Sequence, residues 1–190
     1  MSSRLVILDR DGVINHDSPD FIKSPAEWLP IDGSIEAIAR LCNAGYEVAV
    51  ATNQSGIGRG LLDKPTLNAI HERMAEQVKS AGGRLGKIAF CPHHPDDECD
   101  CRKPAPGLLK SLARQYGVPL DNVPVIGDST RDAEAAMAVN ARPILVATGN
   151  GSAAIEHFAK RGVEIEHHAD LFAAVDALLG ESTGNAGASS

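Results

Sequence analysis

Short apolar runs punctuate the chain at residues 5–8, 47–51, 87–91, 123–126 and 143–146. They are continuous, not alternating, which is the mark of parallel strands covered on both faces. Helical periodicity fills the gaps between them. Ser34 stands as an N-cap before a face of Ile35, Ile38, Leu41 and Cys42, with Gly45 as the stop. Leu67, Ile70, Met74 and Val78 recur at helical spacing within 64–81, and Gly82-Gly83 follows. The same patterning predicts helices over 107–116, 130–139, 152–161 and 171–179. Strands alternating with helices predict an α/β fold with a doubly wound, mainly parallel sheet. No internal repeat is visible. A single domain is expected over 1–180. The segment 181–190, made of Glu, Ser, Thr, Gly, Asn and Ala, is expected to be a disordered tail.

Composition narrows the function classes. The chain has 190 residues, long enough for one well-buried core. Aromatics make up only 4%, so that core must be aliphatic. A net charge of -7 argues against a nucleic-acid or anionic-membrane surface, though a small anionic substrate needs only a local basic pocket. No apolar run approaches membrane-spanning length. The opening Met1-Ser2-Ser3-Arg4 lacks the features of a signal peptide, so a cytoplasmic protein is expected. A monomer is the default expectation.

In a sheet of this kind ligands bind beyond the carboxyl ends of the strands. The first run is followed by Asp9-Arg10-Asp11-Gly12-Val13, two carboxylates one residue apart at a sharp exit. Alone, that is also an ordinary polar turn. The second is followed by Thr52-Asn53-Gln54-Ser55-Gly56, a hydroxyl and backbone N–H groups that can cradle a phosphate or simply turn the chain. The fourth leads into Gly127-Asp128, with Asp132 either another site carboxylate or a helix-start residue. Together Asp9, Asp11, Asp128, Thr52 and Lys103 converge on one crevice. Carboxylates that close repel unless a cation or proton intervenes, and an all-oxygen set suits Mg²⁺.

The third run opens a different constellation, Cys91-Pro92-His93-His94 and then Cys99-Asp100-Cys101-Arg102-Lys103. Three cysteines and a histidine in one polar loop match a closed tetrahedral zinc site of Cys91, His93, Cys99 and Cys101, with His94 as the other possible histidine ligand. With every position filled by protein, such a zinc is structural. Its task would be to hold the loop and aim Arg102 and Lys103. Cys42, on an apolar helix face, reads as core.

These motifs, in this order, resemble the haloacid-dehalogenase-like superfamily over nearly the whole chain. Asp9-Arg10-Asp11-Gly12-Val13-Ile14-Asn15, Thr52-Asn53-Gln54-Ser55-Gly56-Ile57-Gly58-Arg59-Gly60 and the Cys-Pro-His-His-Pro loop resemble one branch of it. That branch consists of phosphatases that release the 7-phosphate of D-glycero-D-manno-heptose 1,7-bisphosphate. The histidinol-phosphate phosphatases share its zinc loop and are the alternative. The resemblance implies an aspartyl-phosphate on Asp9, acid–base chemistry by Asp11, and charge neutralisation by Thr52 and Lys103. It places Mg²⁺ on the Asp9 carboxylate, the Asp11 backbone carbonyl and Asp128. The short 14–31 connection leaves no room for a large cap domain, so loops would select the small phosphorylated sugar. Asp17, Asp20, Asn53, Gln54, Ser55, Arg59 and Arg102 are the candidate contacts. Two positions depart from the pattern: Ala147 stands where many relatives have arginine, and Ser129 where some have lysine.

Overall fold

A computed structural model describes residues 4–185. Its strands are β1 (Arg4–Leu8), β2 (Tyr46–Asn53), β3 (Leu85–Cys91), β4 (Pro124–Gly127), β5 (Arg142–Val146) and β6 (Glu166–His168). They form one sheet in the order β3-β2-β1-β4-β5-β6, and every neighbouring pair is parallel. The helices are α1 (Ser34–Asn43), α2 (Lys64–Ser80), α3 (Gly107–Tyr116), α4 (Thr130–Met137), α5 (Gly151–Lys160) and α6 (Leu171–Asn185).

The continuous apolar runs are explained by burial on both sides. Within β1, Val6 and Leu8 face one cluster while Leu5 and Ile7 face the other; Val48 and Val50 divide from Ala49 and Ala51 in the same way on β2. The first face is closed by α1, α2 and α6 through Ile38, Leu41, Ile70, Met74, Val175 and Leu178. The second is closed by α3 and α4 through Leu109, Leu112, Ala135 and Ala136, with α5 alongside through Phe158. The winding reverses between β1 and β4, so the crevice for a ligand lies above their carboxyl ends.

Local differences from the sequence expectation have local causes. Ser34 is the first residue of α1 and not its cap; Gly33 holds the cap position at φ 78°, and the Ser34 hydroxyl donates to the Ile14 carbonyl at 2.6 Å. That bond ties α1 to the loop leaving β1. Helix α4 stops at Met137, short of 139, and α5 begins at Gly151. Strand β6 was not anticipated, because Glu166-His167-His168 is polar and only three residues long, as suits a sheet edge exposed to water. Cys42 sits at the rim of the first cluster and accepts from the Arg84 N–H at 3.3 Å.

The expected tail is corrected in part. Helix α6 continues through Glu181 to Asn185, and Glu181 takes a two-pronged ion pair from Arg142 of β5 at 2.8 Å on each prong. Arg142 also reaches Glu166 of β6, so one guanidinium staples strand, edge strand and final helix. Residues 186–190 lie outside the described residues.

The second face depends on Leu109, which is fully buried between α3 and the sheet. Replacing it by Ala should cost about 2–5 kcal/mol. Urea unfolding would register this as a lower midpoint at unchanged slope.

Candidate active site

Lys103 is the hub of the crevice. It is 3% exposed, yet its ammonium meets three oxygens: Asp132 Oδ1 at 2.5 Å, Asp9 Oδ1 at 3.0 Å and the Ala51 carbonyl at 2.7 Å. Its backbone is pinned by Asn53, which accepts from the Lys103 N–H at 3.0 Å and donates to its carbonyl at 3.1 Å. Asn53 therefore lines the cavity with its amide committed to Lys103. Asp132 unites both readings open to it. Its Oδ2 accepts from the Ser129 hydroxyl and N–H, closing a capping box at the start of α4, while Oδ1 holds Lys103. That box also gives Ser129 its task.

Asp9 leaves the end of β1 beside Lys103, its Oδ1 also accepting from the Arg10 N–H at 2.7 Å. Asp9, Asp128 and Asp132 bring carboxylate oxygens within 4.8 Å of one another. Burial, only partly offset by Lys103 and reinforced by Asp132, Asp128 and Asp11, pushes the Asp9 carboxyl up to about 8. Burial likewise lifts Asp128 to about 6, opposed by the Asn150 N–H, which donates to its Oδ2 at 2.8 Å. Burial alone would lower Lys103; Asp132 and then Asp9 outweigh it and keep the ammonium protonated. This is a site with more negative charge than one lysine balances.

Gly12 makes the geometry possible. At φ 80° it lies so close to Asp128 that a Cβ would fall 2.0 Å from Oδ2. Thr148, after β5, donates to the Gly12 carbonyl at 2.6 Å. Thr148 and Asn150 thus brace the crevice from the far side.

Asp11 stands apart from the carboxylate group. Arg10 grips it with Nε at 3.1 Å to Oδ1 and with Nη2 at 2.9 and 3.0 Å to both oxygens. Asn15 Nδ2 donates to Oδ1 at 2.9 Å, and Gln54 Nε2 donates to Oδ2 at 2.8 Å and to Thr52 Oγ1 at 3.0 Å. Gln54 accordingly links Thr52 to Asp11.

A cavity of about 380 Å³ opens over these groups, the size of a small-ligand site. Ser55, Asp17 and Ser18 line it. Asp20, an expected contact, is absent from the lining; its N–H donates to the Ser18 hydroxyl and its carbonyl accepts from the Lys23 ammonium. Arg59, Arg102 and Arg131 form a basic rim. Burial first, then Arg131 and Arg59, hold Arg102 below its usual range, and its Nη1 is buried without a partner. The Arg59 guanidinium lies 5.8 Å from the centroid of Phe21.

Beside the rim, Cys91, His93, Cys99 and Cys101 bring ligand atoms within 4.8 Å of one another. Neighbouring ligand atoms are 3.2–3.6 Å apart. A tetrahedron with Zn–S near 2.3 Å has edges of roughly 3.8 Å, so the group needs little adjustment to close on zinc. Among the two histidines, His94 is otherwise engaged: its Nδ1 accepts from the Asp96 N–H, capping the short Pro95–Asp97 turn.

The HAD-hydrolase-like family model matches residues 100–172. A D-glycero-beta-D-manno-heptose-1,7-bisphosphate 7-phosphatase of Pseudomonas aeruginosa is 54% identical over 179 residues, covering 94% of this chain and 99% of that protein. The chain belongs to this heptose-bisphosphate phosphatase family. Another member, from Neisseria meningitidis, is 45% identical over 93% of this chain and 91% of its own. A crystal structure of the Bordetella bronchiseptica D,D-heptose 1,7-bisphosphate phosphatase, complexed with magnesium and phosphate, superposes with a TM-score of 0.89. It is 49% identical and covers 94% of this chain and 99% of that one.

Several supporting residues of this heptose-phosphatase site escaped the sequence reading. Arg10, Asn15, Arg131, Thr148 and Asn150 were not among the expected site residues, yet Arg10 and Asn15 hold Asp11, Arg131 lines the cavity, and Thr148 and Asn150 brace Gly12 and Asp128. The one available signal was Arg10, a cation set between two aspartates.

The raised Asp9 has a testable consequence. Without a cation, Asp9 retains its proton up to about pH 8. A divalent cation must displace that proton, so its affinity should rise with pH by up to about tenfold per unit between pH 6 and 8. Calorimetric Mg²⁺ titrations in buffers of different ionisation enthalpy would show proton release at pH 6 that fades above pH 8.

Proposed function

We propose that this chain is a Mg²⁺-dependent phosphomonoesterase that releases the 7-phosphate of D-glycero-β-D-manno-heptose 1,7-bisphosphate. One observation carries the chemistry: a strand-end carboxylate, Asp9, held by a buried lysine inside an open cavity whose rim is basic. The family supplies the substrate, since its curated members are named for this bisphosphate and for the β anomer.

Asp9 attacks phosphorus in line. The new O–P bond forms as the bond from phosphorus to the sugar C7 oxygen breaks, and Asp11 gives its proton to that departing oxygen. Water then attacks the aspartyl-phosphate. Its oxygen bonds to phosphorus, its proton passes to Asp11, and the Asp9 O–P bond breaks, which returns Asp9 as a carboxylate and Asp11 in the protonated form that began the cycle. Lys103 and Thr52 stabilise charge on the transferring oxygens throughout. The clustered Asp9 and Asp128 carboxylates would hold Mg²⁺, with the Asp11 backbone carbonyl as the third protein ligand in this reading, and the ion would neutralise the excess negative charge and polarise the phosphoryl group.

Arg59, Arg102 and Arg131 suit the second phosphate of a bisphosphate, and the unpartnered Arg102 Nη1 is a donor in want of such an oxygen. Asp17 and Ser55 suit sugar hydroxyls. A cationic substrate such as histidinol phosphate would meet three guanidiniums, which sets that reading second. Zinc on Cys91, His93, Cys99 and Cys101 would hold the loop that delivers Arg102 and Lys103. Among the described residues no helix is long and apolar enough to cross a membrane. The reading is of a monomer that acts in the cytoplasm on a small sugar phosphate, without nucleic acid.

Steady-state kcat/KM with Mg²⁺ tests the substrate. The β-heptose bisphosphate should exceed its α anomer, histidinol phosphate and a 3'-phosphorylated oligonucleotide, and Asp9→Asn should abolish turnover of all. Preference for histidinol phosphate would overturn the substrate while sparing the mechanism. For the zinc loop, Cys101→Ser should purify with less than one equivalent of zinc by elemental analysis. Its melting temperature should also fall, and its kcat should drop as Lys103 loses its support.

A further inference from the structure

Arg10 is 1% exposed, deeply buried for a guanidinium. Its Nε and Nη2 are committed to Asp11, which leaves Nη1 to find a partner on the other side. That partner is His71 Nε2, 3.3 Å away. His71 lies on α2, 7% exposed, with its ring edge-on to Phe90 at 6.1 Å between centroids. It touches none of the carboxylates, so nothing in the proposed chemistry uses it.

We propose that His71 is a positioning residue that holds the Arg10 guanidinium, and through it the Asp11 carboxylate, in the orientation required for proton transfer. The inference rests on the reading of Asp11 as acid and base. Burial first, and the Arg10 cation second, keep His71 neutral, with its pKa down at about 4. A neutral imidazole can present Nε2 as a lone pair to the Arg10 N–H, with the ring proton on Nδ1. A protonated ring would offer that guanidinium only a like charge.

The geometry gives this contact its leverage. A guanidinium is planar, so fixing Nη1 from one side fixes the plane in which Nε and Nη2 meet Asp11. Removing the acceptor leaves a buried N–H unpaired and frees that plane to tilt. Asn15 and Gln54 touch one Asp11 oxygen each, whereas Arg10 holds both. Arg10 is therefore the group that sets the carboxylate's rotation, and misplacement of a proton-transfer group by about 1 Å can cost 10²-fold in rate.

The test is a double-mutant cycle in kcat on heptose 1,7-bisphosphate. His71→Phe keeps the ring against Phe90 and removes only the acceptor; His71→Gln retains an acceptor. His71→Phe should lower kcat about 10- to 100-fold with KM little changed. His71→Gln should recover most of that loss. In an Asp11→Asn background, His71→Phe should cost nothing more, because no proton-transfer group remains to be positioned. With p-nitrophenyl phosphate, whose leaving group needs no proton, His71→Phe should still release a near-stoichiometric burst before slow turnover. A merely structural role would instead shrink the burst with the folded fraction.

Equal losses in both backgrounds, an unchanged kcat, or no recovery in a fully folded His71→Gln would overturn the proposal. If His71→Phe does not fold, His71→Leu takes its place under the same criteria. Wild-type turnover by Asp11→Asn would sink the acid–base reading and the proposal together. Wild-type turnover by His71→Phe beside a crippled Asp11→Asn would sink the proposal alone.

Discussion

The whole crevice turns on one buried cation. Lys103 is brought under Asp9 and Asp132 where water is excluded, and such an ammonium is tolerated only because its three donors meet three oxygens. Much of the surrounding structure serves to deliver it there. The Cys and His loop turns the chain back from β3, Asn53 clamps the Lys103 backbone, and the Ser129 capping box orients Asp132. Helix α3, packed through Leu109 and Leu112, anchors the chain that follows.

That lysine does not balance the charge around it. Asp9, Asp128 and Asp132 crowd one side, and the first two are both pushed above the ordinary carboxylate range mainly by burial. A cation relieves this frustration, and so does a proton, so metal and proton compete for the same site. The arginine rim supplies positive charge only further out, where a second anionic group of the substrate would sit. In the proposed reading core and rim divide the labour: one would handle the transferring phosphoryl group, the other what remains attached.

Two support systems reach the paired aspartates from opposite faces of the sheet. Asp9 is steadied through Lys103 by Asp132 and Ser129 at the start of α4. Asp11 is steadied through Arg10 by His71 of α2, which packs on the other face. Asp9 and Asp11 are neighbours but one in sequence, yet their environments differ sharply. One carboxylate lies against a metal-competent cluster and the other inside a ring of neutral and cationic donors. That difference is what would let two identical side chains take different roles.

Much of this was legible in the chain itself. Continuous apolar runs and helical periodicity determine the α/β alternation, because burial on both faces of a parallel sheet leaves no polar positions to place. The motif order after successive strands determines that Asp9, Thr52, Lys103 and Asp128 share an edge, since parallel strands all end on the same side. Cysteine spacing determined the metal-competent loop. Only the tertiary structure grouped His93 with the three cysteines while His94 caps a turn, joined α6 past Glu181 to β5, and placed Arg10 between Asp11 and His71. Those outcomes rest on contacts between residues far apart in the chain or on which donor a neighbour has already taken. No local pattern encodes them, because a hydrogen-bond partner becomes known only when the elements carrying it have packed.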